Sequence, residues 1–594
     1  MSQQGIIVAK SIHNIECLYA SLLIVWRDFS RSCYRALAKL LAIRVSLLLV
    51  AVTAAMPASS DVVIVDQESN AISNNWWFFP LAKDKNLQLW AYTGKLSYTK
   101  GQNLDLYVNT NAEKYSVTIY RDGWQREVVY RQTGLEGKYV QTPEDCYEKG
   151  CKWPVSAYIT LGSKWRTGGY VVHLKARDDE GRSIDQYAFF ILKPTSQTND
   201  IAFIVSSATW MAFNDWGGGN LYATMKGQPA TQVSSRRPWV KGQIVLPDGA
   251  PWVALNQSLK TQPMNSIPRY PDIEWASAYG YSKYYARSGW ATYDSKFAKW
   301  AEKNNYTMDY YTQQDLHANP ALLNGYDMVV MVGHDAYWSA EMRANMDAFL
   351  SKGGKFARFA GGFMWQARIS SDQSVLTSYR FSALSDDPNA KSKTDADKAR
   401  TTTLWSSKLV NRPGATTAGG NGVQGLFANM GALSPRASGG FTIYRPDHWA
   451  LRDTGLYYGD VLGDMSSVVG YAADGIDYTM VNGQPEPTGA DGAPTNATII
   501  GLAPTSIVEQ NFGLPGELVP PEQADLRSIT RIVYGSATQA NLAKLRYGAA
   551  VISVVPAGDG EIFCACSSGW VMGLQKGDKF TEQVTNNVLQ RYVE

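Results

Sequence analysis

The stretch MVVMVGHDAYWSAEMRANMDAFLSKGGKFARFAGG, residues 328–362, decides the fold. An apolar run stops at Gly333, and His334-Asp335-Ala336-Tyr337-Trp338 follows at once. SAEMRANMDAFLSKGG (339–354) then reads as a helix that opens on the natural cap Ser339 and stops at glycine, and KFARFAGG as a second buried strand. A strand, helix and strand in this order predict parallel pairing with the helix on one face. In such sheets ligands bind beyond the carboxyl ends of the strands, which is where His334 falls.

Working outward, DIAFIVSS (200–207) reads as another buried strand, followed by the glycine-rich NDWGGGNLY. SKFAKWAEKNNY (295–306) is patterned as an amphipathic helix, TMDYYT as a strand, and AAVISVVPAGDGEIFCACSSGW as a hairpin before a terminal helix. Residues 87–195 differ. NLDLYVNT (103–110) and YSVTIYRDGW (115–124) alternate at period two, and DDEG (178–181) is a hairpin turn. The expected fold class is α/β, a parallel sheet with helices on both faces over residues 196–594, preceded by an all-β sandwich domain over 87–195. Segments near 385–425 and 480–525, rich in Gly, Pro, Ala, Thr and Asp, read as loop insertions.

The chain has 594 residues, 18% charged, with a formal charge of +3. That balance leaves no nucleic-acid footprint. Aromatics reach 12%, with 19 Trp and 34 Tyr, a composition of strand-rich cores and of clefts for a small-molecule or carbohydrate-like ligand. Arg35, Lys39 and Arg44 precede the apolar run Val45–Ala55, whose length suits a signal-peptide core better than a membrane span. Residues 1–58 are therefore read as a pre-sequence or N-terminal anchor and 59–86 as a linker, and the protein is expected outside the cytoplasm. The membrane is contacted only through that segment if it stays uncleaved. In an exported chain Cys146 and Cys151, in DCYEKGC, are expected to bridge; Cys564 and Cys566, in FCACSSG, read equally as a tight bond or as two buried thiols.

G-x-S-x-G, H-E-x-x-H and Walker signatures are absent, and no G-x-G-x-x-G follows a strand. Of the five histidines, His173 reads as structural within a strand and His317 as a loop residue. His334 stands at the ligand edge beside Asp335, Tyr337 and Ser339, and His448 lies in the apolar-flanked YRPDHWAL.

Several landmarks, in order, resemble the large (beta) subunit of N,N-dimethylformamidase and its relatives: TWMAFNDWGGGNLY (209–222), VSSRRPW (233–239), YTQQDLHANPALLNGYDMVVMVGHDAYWSAEMR (311–343), GFMWQAR (362–368), DHWALRDTGLYYGDVLG (447–463), VVGYAADG (468–475) and GEIFCACSSGWVMGL near the C-terminus. The resemblance implies a glutamine-amidotransferase-like α/β fold, with oligomerisation or a small partner subunit as options. It also implies a mononuclear iron held by two tyrosines and a glutamate, hard oxygen donors suited to a Lewis acid. At those three places this chain reads Phe213, Tyr222 and Ala336, so two of three implied ligands are replaced and no cofactor is expected. Two functions then compete. In one, a hydrolase of amide C–N bonds or another polar small substrate uses His334, Asp335, Tyr337, Tyr222 and Asp215 for acid–base work, with Phe213, Asn214, Trp216, Ala336, Trp338, Arg237 and His448 lining the pocket. In the other, a non-catalytic extracytoplasmic protein binds its ligand through the sandwich and the aromatic cleft.

Overall fold

A computed structural model of the chain describes residues 86–252, 271–427, 439–506 and 524–593. The pre-sequence, the linker up to residue 85 and part of the second insertion lie outside the described residues. Among the described residues no helix is long and apolar enough to cross a membrane.

The molecule is mixed α/β, with several sheets. The first eight strands are β1 (Leu89–Thr93), β2 (Ser97–Tyr98), β3 (Asn103–Thr110), β4 (Lys114–Asp122), β5 (Arg126–Glu136), β6 (Ala157–Thr160), β7 (Gly168–Arg177) and β8 (Ser183–Leu192). They form a three-stranded sheet, β1-β3-β6, and a five-stranded sheet, β2-β8-β7-β4-β5. The inward halves of their alternating patterns, such as Leu104, Leu106, Ile119, Val172 and Phe190, share one apolar core. The turn read at 178–181 joins β7 to β8.

After β9 (Ile201–Val205) come helix α1 (Ser207–Phe213), β10 (Gln232–Ser234), α2 (Ser295–Lys303), β11 (Asp309–Thr312), α3 (Gln313–Ala318), β12 (Met328–His334), β13 (Tyr337–Ser339), α4 (Ala340–Leu350), β14 (Lys355–Gly361), β15 (Trp365–Ile369) and β16 (Val375–Thr377). Next are β17 (Asn421–Phe427), β18 (Phe441–Ile443), β19 (Val461–Leu462), β20 (Ala472–Gly475), the hairpin β21 (Tyr478–Val481) and β22 (Gln484–Pro487), β23 (Thr498–Ser506), β24 (Tyr547–Ala557), β25 (Gly560–Ala565), α5 (Trp570–Lys576) and α6 (Lys579–Val593). The central sheet has nine strands in the order β11-β9-β12-β14-β25-β24-β23-β18-β19. Every residue of β9 and β12 is buried, the mark of strands covered on both faces. Helices α2, α5 and α6 pack on one another in sequence. Helices α1 and α4 each pack on α3.

The expectation of a parallel sheet holds for part of the central sheet. Strands β11, β9, β12, β14 and β25 run parallel, but β24, β23, β18 and β19 alternate in direction. The hairpin between β24 and β25 reverses the chain at Gly558, and everything beyond it is antiparallel. The two insertions are also corrected. The first holds short helical turns and the start of β17, and the second holds β22 and all of β23, a strand of the central sheet. Pro504 lies within β23 opposite Ala549, but β18 pairs only with Gly501 and Leu502, so its missing N–H falls past that ladder.

The expected bridge between Cys146 and Cys151 is corrected, and the open reading of Cys564 and Cys566 resolves as a bond. Cys564 and Cys566 are bonded to each other, whereas Cys146 and Cys151 are free and buried. A helical turn over Cys146–Lys149, closed by Gly150 N–H donating to Cys146 O, brings the two thiols into hydrogen-bonding contact without a covalent link.

Candidate functional site

The strand–helix junction after β12 explains why an apolar run ends in polar residues. Gly333 takes φ +74°, and a Cβ there would lie 2.3 Å from the Tyr293 Cβ, so only glycine fits. His334 is the last residue in register with β14, opposite Gly361. Three residues later Tyr337 pairs with Trp365 in a different sheet, β10-β16-β15-β13. Asp335 and Ala336 are the crossing between the two sheets. It is pinned by Asp335 N–H donating to Gly361 O (3.3 Å) and Trp365 N–H donating to Ala336 O (2.9 Å).

The His334 ring rests between Phe213 and Tyr471, with centroids at 5.3 and 5.1 Å. Its Nδ1 lies 2.9 Å from the Arg287 carbonyl oxygen, a partner that can only accept, which assigns the proton to Nδ1 and leaves Nε2 as an acceptor. Gly362, at φ +91°, gives the ring its room, since a Cβ there would stand 2.8 Å from Nε2. Burial, reinforced by the Arg287 and Arg358 charges, pushes His334 down to about 4, so the imidazole is neutral at pH 7.

Tyr337 Oη donates to Tyr222 Oη at 3.1 Å. The Tyr222 ring stacks on Phe213 at 4.2 Å and carries the Arg380 guanidinium 3.9 Å over its centroid. Burial, with Tyr337 beside it, holds the Tyr222 phenol well above its usual range, so it keeps its proton. Tyr222 is 8% exposed and His334 6%, against 0% for Phe213 and Tyr337, so the whole cluster is buried.

Asp335 is placed away from this cluster. Both its oxygens receive Arg358, Nε at 2.9 Å and Nη2 at 2.5 Å, and Arg358 Nη1 also meets Asp474 Oδ2 at 2.7 Å. All three side chains are fully buried. The other Asp474 oxygen accepts from Gly362 and Phe363 N–H, both at 2.9 Å, which ties the ionic triad to the turn that makes room for His334.

The remaining expected residues divide. Arg237 donates to the carbonyls of Asn214 (2.6 Å), Trp216 (2.6 Å), Gly219 (2.8 Å) and Ser234 (3.0 Å), clamping the glycine-rich loop. Burial lowers its pKa to about 10. The Asn214 amide holds Pro238 O, Trp216 N–H and Val240 N–H. Asp215 accepts from Ser282 Oγ at 2.9 Å, and burial raises its carboxyl to about 6. Trp216 turns to the N-terminal sheets, edge-on to Trp90 (5.5 Å) and Trp153 (5.9 Å). Trp338 packs on Phe363 at 5.2 Å. His448 caps the turn Trp449–Leu451, and Trp449 packs on Tyr592, whose hydroxyl donates to Glu561. Glu561 pairs with Lys355 at the amino end of the sheet, so His448 stands at the edge opposite His334.

Arg358, Arg380, Arg287 and Tyr471 belong to the site and escaped the sequence reading. Arg358 had a signal, a lone arginine inside the apolar strand KFARFAGG. Tyr471 lies in the landmark VVGYAADG, and Arg380 and Arg287 come from segments distant in sequence with no pattern of their own.

Against this geometry, a family model described as N,N-dimethylformamidase beta subunit-like, C-terminal, matches residues 116–586. The chain belongs to the N,N-dimethylformamidase beta subunit-like family. The match takes in β4 to β8 as well as the nine-stranded sheet. No curated protein sequence matches the chain. The iron ligands implied for characterised N,N-dimethylformamidases do not fit this site. Of the three positions, Phe213 and Ala336 offer a ring and a methyl group, both buried, and the one remaining phenol, Tyr222, is hydrogen-bonded to Tyr337.

Proposed function

We propose that the chain is an exported, hydrolase-like member of its family that acts on a small polar amide without the three-oxygen iron set. The reading is supported by one constellation: a neutral His334 whose Nε2 is kept as an acceptor, beside two protonated phenols. A phenol proton donated to the substrate carbonyl oxygen polarises it, and His334 Nε2 takes a proton from water as the water oxygen bonds to the carbonyl carbon. The C–N bond then breaks and the imidazolium returns the proton to the departing amine. An imidazole with so low a pKa is a weak base, which predicts slow turnover on unactivated amides. The ligand edge of the sheet suits the amidotransferase-like architecture that the family resemblance implies, with β1 to β8 as its sandwich domain.

The test is hydrolysis of a panel of formamides, acetamides and activated anilides by the metal-free protein. His334→Ala and Tyr337→Phe should each lower the rate by about a hundredfold or more. No turnover above the uncatalysed rate on any member would sink the hydrolase reading. A second reading, non-catalytic binding, is favoured by one observation: Asp335, Arg237 and Asn214 spend their polar groups on internal partners. Ligand-induced stabilisation without turnover would select it. Export is checked by sequencing the N-terminus of protein recovered from the periplasm, expected near residues 55–60. An intact cytoplasmic chain would refute it.

A further inference from the structure

A cleft of about 580 Å³ lies away from His334, between β1 and β3 on one side and the segments 235–236, 312–314 and 372–374 on the other. Its wall is aromatic. Tyr92 and Tyr107 stack face to face at 4.7 Å and 2°, and Trp153 leans on Tyr92 at 5.3 Å. Tyr92 and Trp153 are buried and Tyr107 is half-exposed, so the stack presents Tyr107 to the cleft as a platform.

Five cations line it: Lys95, Lys149, Lys152, Lys193 and Arg236. Some are committed. Lys149 pairs with Asp145 at 2.8 Å, Arg236 with Asp372 at 3.1 Å, and Lys193 with Asp315. Lys95 and Lys152 are exposed and, among the described residues, have no carboxylate within ion-pair distance. The lining carboxylates are Asp105 and Asp372, the second already holding Ser370, Ser374 and Arg236; Ser97 donates to Asp315, and the amides of Gln102 and Gln373 complete the wall.

Each part selects against something. A polyphosphate would meet two carboxylates. A neutral sugar would leave the excess positive charge unanswered. An apolar ligand would strand Asp105 and the two lysines. A ring with an apolar face, several hydroxyl donors and one carboxylate satisfies all of them. The ring stacks on Tyr107, its hydroxyls donate to Asp105, and its carboxylate meets Lys95 and Lys152.

We propose that this cleft binds a uronic-acid-type sugar unit of an oligosaccharide, as a site separate from the His334 cluster and independent of the reaction assigned there. The experiment is calorimetric titration of the full chain with trigalacturonate, with maltotriose and inorganic phosphate as probes of size and of charge alone. Trigalacturonate should bind, and binding should weaken by about tenfold or more on going to about 0.5 M salt. Lys95→Ala should cost about tenfold, the loss expected of a charge-assisted hydrogen bond. Tyr107→Ala should cost a similar factor, while His334→Ala should leave binding unchanged. Lys95 is exposed, so its variant reports on binding even if Tyr107→Ala fails to fold. Absence of trigalacturonate binding, equal binding of maltotriose or of phosphate, or an unchanged affinity in Lys95→Ala would each overturn the proposal.

Discussion

Ala336 sits where the chain crosses between two sheets, 2% exposed, and the buried Arg358 that pairs with its neighbour Asp335 already holds two carboxylates. A glutamate there would bury a charge with no partner. Ala336→Glu alone should destabilise the fold by on the order of 3 kcal/mol, read as a lower urea midpoint. Phe213→Tyr with Ala336→Glu returns both missing oxygens beside Tyr222. The pair should recover most of that loss on adding ferric iron and show a tyrosinate charge-transfer band. A double variant that stays colourless and unstabilised by iron would mean the ligand positions have been assigned wrongly. His334 supplies the pH dependence. Its folded pKa is about 4, against an ordinary 6.5. Between those values the unfolded chain takes up a proton that the folded one refuses. The group therefore leaves stability untouched above pH 6.5 and lowers it as pH falls toward 4. At about 1.4 kcal/mol per pH unit this amounts to roughly 3 kcal/mol. His334→Gln should flatten the fall of Tm over that window, and an unchanged slope would refute the assignment.

At the scale of elements, β9, β12, β14, α4 and the final hairpin were legible because their signals are local: continuous apolar runs for doubly covered strands, a serine cap and a glycine stop for the helix. The cap at Ser339 is made as read, its Oγ accepting from Met342 N–H at 3.1 Å. His334 was legible for the same reason, as a polar residue ending a buried strand. Strand β23 was not, because TNATIIGLAPTS contains a glycine and a proline and is excused only by where β18 stops pairing. The role of Asp335 was not legible either. Its partner Arg358 lies one strand away and Asp474 comes from β20, so a residue that reads as a catalytic acid is half of a buried ion pair. The cysteines failed in the same way: spacing showed that Cys146 and Cys151 are neighbours, but not whether they bond. Peptide mapping under non-reducing conditions should find Cys564 linked to Cys566, with Cys146 and Cys151 alkylated after denaturation. A 146–151 linkage would restore the sequence-based expectation.

For the whole molecule, the question is whether the N-terminal sheets and the nine-stranded sheet form one folding unit. Tyr120, Val171, Phe189 and Ile191 point out of the five-stranded sheet into the main core, and Phe189 meets Trp290 at 5.0 Å and Trp210 at 5.6 Å. The polar part of this junction is as closed. Arg121 of β4 forks onto Glu302 of α2, and Glu302 also accepts from Trp124 N–H (2.9 Å) and Tyr310 Oη (3.1 Å). Asp122 accepts from Trp290 Nε1 at 2.8 Å and pairs with Lys299 at 2.9 Å. Burial alone would raise the Glu302 carboxyl, but Arg121 and the two other donors outweigh it and hold it below the ordinary glutamate range. An apolar seam with its charges paired predicts one cooperative transition for both parts. Glu302→Gln leaves the Arg121 side chain, 6% exposed, without its counter-charge, and should cost about 3 kcal/mol. Because the loss falls on the junction, the N-terminal sheets should then melt or be proteolysed ahead of the rest, and calorimetry should resolve two transitions in place of one. Replacing both partners, Arg121→Met with Glu302→Met, removes the stranded charge and should regain most of the lost stability and the single transition. If Glu302→Gln melts once, at the wild-type temperature, the pair does not couple the two parts, and the apolar seam alone holds them together.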